Sequence, residues 1–215
     1  MKPVAIFLCD KTGHMAEPWE QAGYESILVD PQHPKGVWSG AVRTKVGATI
    51  LDCMSYLGKV IRTRQVAFVF GFPPCTDVAV SGSRWFEDKA KLDKHFQAKA
   101  ALVAEQCRTV GMLSGAPWGF ENPVSVFSSI FGKPNHSFDP MDYTLHCADD
   151  NYYKKTCVWS GNGFKMPMIA RDYTLGAPDE RIHTAAPGPE RANFRSATPR
   201  GFAIATFLAN QLHKP

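Results

Sequence analysis

Short, unbroken apolar runs punctuate the first half of the chain, separated by amphipathic or polar stretches. Val4–Cys9 and Val66–Phe70 are rich in β-branched and aromatic residues, the pattern of strands buried on both faces. Ser26–Val29, ending at Asp30, and Trp118–Glu121, stopped by Asn122-Pro123, read as further strands. Between them, Ala16–Gly23 and Thr49–Val60 have helical character. Lys91–Leu113 predicts a long helix, with Phe96, Ala100, Val103, Cys107 and Val110 on one face. Strands alternating with helices predict an α/β fold, with a mostly parallel sheet and helices on both faces. Such sheets gather their chemistry at the carboxyl ends of the strands. The positions to inspect are therefore Cys9-Asp10, Asp30, Cys75 and Glu121-Asn122.

The second half is less regular. Pro134–Pro140 and Arg171–Asn193 are rich in turn formers and read as ordered loops. Lys154–Ser160 predicts a strand, and Ala203–Leu212 an apolar helix that closes the chain. The sequence has no repeat of fixed period, and 215 residues fit one domain.

Composition narrows the function classes. A 44% hydrophobic and 20% charged chain is globular rather than disordered. Its apolar runs fall well short of the ~20 residues that cross a bilayer. The N-terminal run reads as a buried strand rather than a signal peptide, so a cytoplasmic location is the default expectation. The 6 cysteines form no C-x-x-C pair, which argues against a zinc ribbon or a disulfide scaffold. His14, His33, His136, His146 and His183 fall in predicted turns without metal-binding spacing, so no metal site is expected. A net charge of +4 permits nucleic-acid binding without demanding it.

Two segments carry unusual chemistry. Gly71-Phe72-Pro73-Pro74-Cys75-Thr76 sets a cysteine on a turn stiffened by prolines, just after a buried strand. A thiol attacks as thiolate, and free backbone N–H groups in such a turn favour that form; a merely buried thiol is the alternative. Phe120-Glu121-Asn122-Pro123 ends a buried strand in a carboxylate, which is costly unless paired, protonated or functional. Asn122 could equally cap a helix.

This order of a strand, a Pro-Pro-Cys turn, a long helix and a strand ending Glu-Asn resembles the cytosine-C5 DNA methyltransferase family. Phe7–Gly23 is similar to the family's cofactor segment, with Trp19–Tyr24 leading to Asp30. Lys154–Trp159 stands where a basic strand belongs, and Arg195-Ser196-Ala197-Thr198-Pro199 resembles the closing motif. The resemblance implies a Rossmann-like fold dependent on S-adenosylmethionine, and DNA as the partner. It makes Cys75 the nucleophile that adds to cytosine C6. Glu121 would hold the base at N3 and the exocyclic amine, and Lys154 or Lys155 would face O2. The base would be flipped from a duplex.

On the cofactor side, the resemblance implies Cys9, Asp10, Thr12, Gly13, Pro73 and Ser196. Asp30 is placed for the ribose hydroxyls, and Asp52 either meets the adenine amine or caps a helix. Where the family's first loop is glycine-rich, this chain retains Gly13 alone. Lys11 and Arg195 would suit an acidic variant of the cofactor, such as carboxy-S-adenosylmethionine, or are solvated surface charges. On the substrate side, Asn122 and Pro123 border the base. Ser81 and Arg84 lie in a segment that closes over the substrate in the family, with Gly82 as hinge and Trp85 available for stacking.

Residues 161–194 stand in place of the family's separate recognition domain and are too few for a core of their own. A loop-based reader or a partner protein would then supply sequence recognition. So compact an enzyme suits a phage or another mobile element, acting in the cytoplasm of a bacterium or an infected host. Two other readings stay open. One is a related enzyme acting on a free pyrimidine nucleotide or RNA, or using a modified cofactor. The other is a non-catalytic cofactor-binding subunit.

Overall fold

The computed structural model describes residues 2–184, 186, 188 and 191–212. Positions 185, 187, 189 and 190 of the expected loop, and the His183 side chain, lie outside the described residues. Eight strands form one sheet: β1 (Val4–Leu8), β2 (Glu25–Val29), β3 (Gly36–Ser39), β4 (Arg43–Gly47), β5 (Val66–Gly71), β6 (Trp118–Pro123), β7 (His136–Phe138) and β8 (Thr156–Gly161). Their spatial order is β3-β4-β2-β1-β5-β6-β8-β7. The central strands β4, β2, β1, β5 and β6 are parallel. β3 and β8 run antiparallel to their neighbours, so the chain is a mixed α/β protein.

The helices are α1 (Glu17–Gln21), α2 (Met54–Thr63), α3 (Phe86–Leu92), α4 (Phe96–Ser114), α5 (Phe127–Ile130), α6 (Arg181–Thr184), α7 (Arg191–Ser196) and α8 (Arg200–Asn210). Alternation along β1 assigns them to faces. Val4, Ile6 and Leu8 pack with Leu57 and Val60 of α2 and with Ala104, Cys107 and Val110 of α4. Ala5 and Phe7 pack on the opposite side with Trp19 of α1 and with Phe202 and Phe207 of α8. Helices therefore cover both faces. The second face is aromatic: Trp19 stacks on Phe68 at 4.7 Å and meets Phe207 edge-on at 5.1 Å. No helix among the described residues is long and apolar enough to cross a membrane.

Several elements differ from the sequence reading, each for a local reason. β1 stops at Leu8 because Cys9 turns into the left-handed region at φ 57. The β3–β4 pair was not expected: β3 is fully exposed and β4 half-buried, so neither presents an apolar run. The helix expected from Thr49 begins at Met54, after turns in which Thr49 and Asp52 bond each other. The long helix starts at Phe96 instead of Lys91; α3 precedes it, and Phe86 packs edge-on against Phe96 at 5.7 Å. β6 runs through Asn122-Pro123, because β8 pairs with it as far as Pro123↔Thr156. β8 in turn starts at Thr156, leaving Lys154 and Lys155 on its approach, and β7 lies inside the expected 134–140 loop.

The chain leaves β1 for β2 on one side and later places β5 on the other. The strand order therefore reverses between β1 and β5. Such a reversal, at the carboxyl ends of the two strands, is where α/β sheets bind ligands.

Candidate active site

Asp10, Asp30, Cys75 and Glu121-Asn122 all lie at carboxyl ends of parallel strands, as the sequence reading expects. The turn after β5 is held from the neighbouring strand. Buried Asn122 donates from Nδ2 to the Pro73 carbonyl at 2.9 Å, joining the cysteine turn to β6. Beyond it, the amides of Val78 and Ala79 donate to the Cys75 carbonyl at 3.1 and 2.9 Å. Cys75 thus sits at the head of a tight helical turn.

Its thiol is half-buried, and burial pushes its pKa up, with the Glu121 carboxylate adding to the rise. Lys154 and Arg195 pull it down. The stiff turn alone therefore does not make a thiolate; the resting group is a thiol poised between opposing charges.

Glu121 is itself held above the ordinary carboxylate range by burial, opposed by Lys154. Its Oε2 is buried and has no hydrogen-bond partner among the described residues. A carboxyl group in that state is suited to donate or accept at a ligand's polar edge. Glu121 and Lys154 face a narrow crevice whose other walls include Phe72, Phe138, Thr156 and Phe202. Lys154 is turned inward by its backbone: its amide donates to Asp139 Oδ1 at 2.8 Å, and its Nζ donates to the Ala197 carbonyl at 3.1 Å. Lys155 is exposed. The geometry separates the two lysines, which neighbouring sequence positions could not do.

A second group lines the β1 end. Asp10 is 3% exposed and accepts at Oδ1 from the Gly13 amide at 2.7 Å and from Thr12 Oγ1 at 3.2 Å. Its Oδ2 is buried without a hydrogen-bond partner among the described residues, and burial raises its pKa. Gly13 has φ +75, and a Cβ there would lie 2.7 Å from the Arg43 guanidinium. Arg43 in turn forms a bidentate ion pair with Glu20 beneath the loop, at 2.6 and 2.8 Å. Buried His33 bonds the Asp10 carbonyl through Nε2 at 3.0 Å, and Asp30 Oδ1 accepts from the Gln32 amide at 2.7 Å. Asp10 and Asp30 are thereby fixed side by side at the ends of β1 and β2.

Other expected residues stand apart. Cys9 packs toward the core beside Cys107 rather than toward the crevice. Asp52 is exposed and spends its carboxylate on Thr49 Oγ1 at 2.7 Å, which favours the local-turn reading over an adenine contact. Ser196 is exposed and donates to the Asn193 carbonyl at 3.2 Å. Ser81 and Arg84 are exposed on a 3-10 turn over Val80–Trp85, and Pro123 is half-buried at the end of β6.

Two contributors were not among the expected catalytic residues. Arg195 acts on Cys75 from α7, and its Nε is buried with no hydrogen-bond partner among the described residues. His14 bonds the Thr198 carbonyl through Nδ1 at 3.1 Å, so the chain just before α8 is stitched to the loop after β1. No protein-family model matches the chain, and no curated protein matches it.

Proposed function

We propose that the protein is an S-adenosylmethionine-dependent DNA cytosine-C5 methyltransferase on a Rossmann-like sheet. The observation that carries this reading is the convergence of Cys75, Glu121 and Lys154, with the unpartnered Glu121 Oε2 beside a nucleophile. Cytosine C5 is a poor nucleophile until a thiolate adds to C6. Cys75 supplies that thiolate, and Lys154 and Arg195 stabilise it. Protonated Glu121 donates to N3 and accepts from the exocyclic amine, drawing electron density through the ring. Its raised pKa suits the donating form. Lys154 at the crevice wall faces O2.

The residues at the β1–β5 reversal fit the cofactor by the chemistry of their donor set. Asp30 at the end of β2 suits a ribose diol, and the free Oδ2 of Asp10 suits a cationic ammonium group. Held there by Asp10 and Asp30, S-adenosylmethionine would supply an electrophilic methyl group for activated C5, its sulfur leaving as the neutral thioether. Transfer of the C5 proton to solvent then breaks the C6–S bond and releases Cys75 as thiolate.

The test is mass spectrometry of nucleosides from DNA incubated with protein and S-adenosylmethionine. We expect 5-methylcytosine with the wild type and none with Cys75→Ala. An unmodified cytosine pool with every DNA offered, or an undiminished yield from the variant, would overturn the assignment.

A further inference from the structure

The turn that follows the cysteine turn has features that the chemistry above leaves unused. After the cysteine turn the chain is fastened to the exit of β6. The Val80 amide donates to the Val124 carbonyl at 3.0 Å, and the Val126 amide to the Val78 carbonyl at 3.0 Å. This fastening sets the Val80–Trp85 turn on the rim formed by Pro123 and Val124. Val80, Trp85 and Val124 are 50%, 53% and 50% exposed.

The Arg84 guanidinium lies 5.1 Å from the centre of the Trp85 ring. Farther along, Lys89, Lys91 and Lys99 are held by Asp77, by Glu87 and Asp88, and by Asp93. Among the described residues Arg84 has no such carboxylate partner. A flat aromatic surface and an unpaired cation thus sit on the turn that follows the cysteine turn, the combination on which unpaired bases stack and phosphates settle.

Between β8 and α8, the described residues of 162–199 hold only the short helices α6 and α7, and about half of them are exposed. A duplex target also exacts the free-energy cost of unstacking and unpairing the base, which a single strand avoids.

We infer that the enzyme's substrate is single-stranded DNA, with a base neighbouring the target stacked on Trp85 and its phosphate on Arg84. The inference rests on the methyltransferase reading for the chemistry, but its test does not. It measures binding without cofactor, by fluorescence anisotropy of one labelled sequence offered as single-stranded DNA, duplex DNA and single-stranded RNA.

We expect the DNA strand to bind about tenfold tighter than the duplex and at least as tightly as the RNA. Trp85→Leu should lose about tenfold for the strand, Trp85→Phe should retain most of the affinity, and Arg84→Gln should lower the salt slope by about 0.7. Thermal melts check that each variant is folded; the exposed positions predict unchanged melting. Equal or tighter binding of the duplex, tighter binding of the RNA, or a folded Trp85→Leu variant that binds the strand normally, overturns the inference. Strand binding through Trp85 with no cytosine product would instead sink the chemistry and keep the strand. Methylation of duplex without strand preference would do the reverse.

Discussion

Cys75 and Glu121 are governed by one local field. Burial disfavours charge on both, a charged Glu121 disfavours the thiolate, and Lys154 favours charge on each. Protonating Glu121 therefore releases the thiol to ionise under Lys154 and Arg195, which is the charge state that the proposed addition to C6 requires. The sign of each substitution follows. Glu121→Gln removes a negative neighbour and should lower the pH at which Cys75 ionises; Lys154→Gln removes a positive one and should raise it. Peptide-mapped iodoacetamide labelling of Cys75 across pH reads this directly. At pH 8 we expect labelling about three- to tenfold faster in Glu121→Gln and slower by a similar factor in Lys154→Gln, a tenfold change being one pKa unit. Inflections that coincide in all three proteins would mean that the groups do not share a field. These residues were legible because each is chemically out of place at a buried strand end. Lys154 and Lys155 were not separable, since the turn that aims Lys154 inward is set by Asp139 and Ala197, distant in sequence. Arg195 was hidden for the same reason: its role depends on where a short helix docks.

Among the elements, β1, β2, β5 and β6 announce themselves because both of their faces are buried, which leaves continuous apolar runs. The β3–β4 edge and β7 do not, because pairing rather than burial holds them. The register of α4 on β6 depends on a detail that a helical pattern would mark as a flaw. Gly111 lies inside α4, and a Cβ there would meet Trp118 Cγ at 2.5 Å. Gly161 presses on the same ring from β8, where a Cβ would lie 2.6 Å from Trp118 Cζ2. Gly111→Ala sets two effects against each other. Helix propensity favours alanine by up to ~1 kcal/mol, while overpacking a fixed indole costs ~1–3 kcal/mol. With the ring confined on both sides the clash should win, lowering stability by about 1–2 kcal/mol. Urea unfolding measures it, and a midpoint at or above wild type would mean that α4 slides on the sheet without penalty.

At the scale of the molecule, the sheet brings two chemistries to one edge: carboxylates at β1 and β2, and the nucleophile with its charge partners at β5 and β6. α8 and the chain before it lock the two together. Arg200 pairs with Glu17 of α1, His14 reaches Thr198, and Lys154 reaches Ala197. A ligand seated at the β1–β5 reversal should therefore stabilise the whole fold rather than a single loop. With S-adenosylmethionine at about 100 times its dissociation constant the gain is ~2.7 kcal/mol. For a chain of this length that raises Tm by about 5–10 °C. Asp30→Asn keeps the acceptor for the Gln32 amide but loses the charge that the proposed cofactor's ribose would meet, so its shift should fall to about half or less at the same ligand concentration. Cys75→Ala, across the crevice, should keep the full shift. Scanning calorimetry with and without ligand separates these outcomes. A wild-type Tm that ignores S-adenosylmethionine would remove the cofactor from the reading, while a shift lost equally in Cys75→Ala would place the ligand at the nucleophile rather than at the strand reversal.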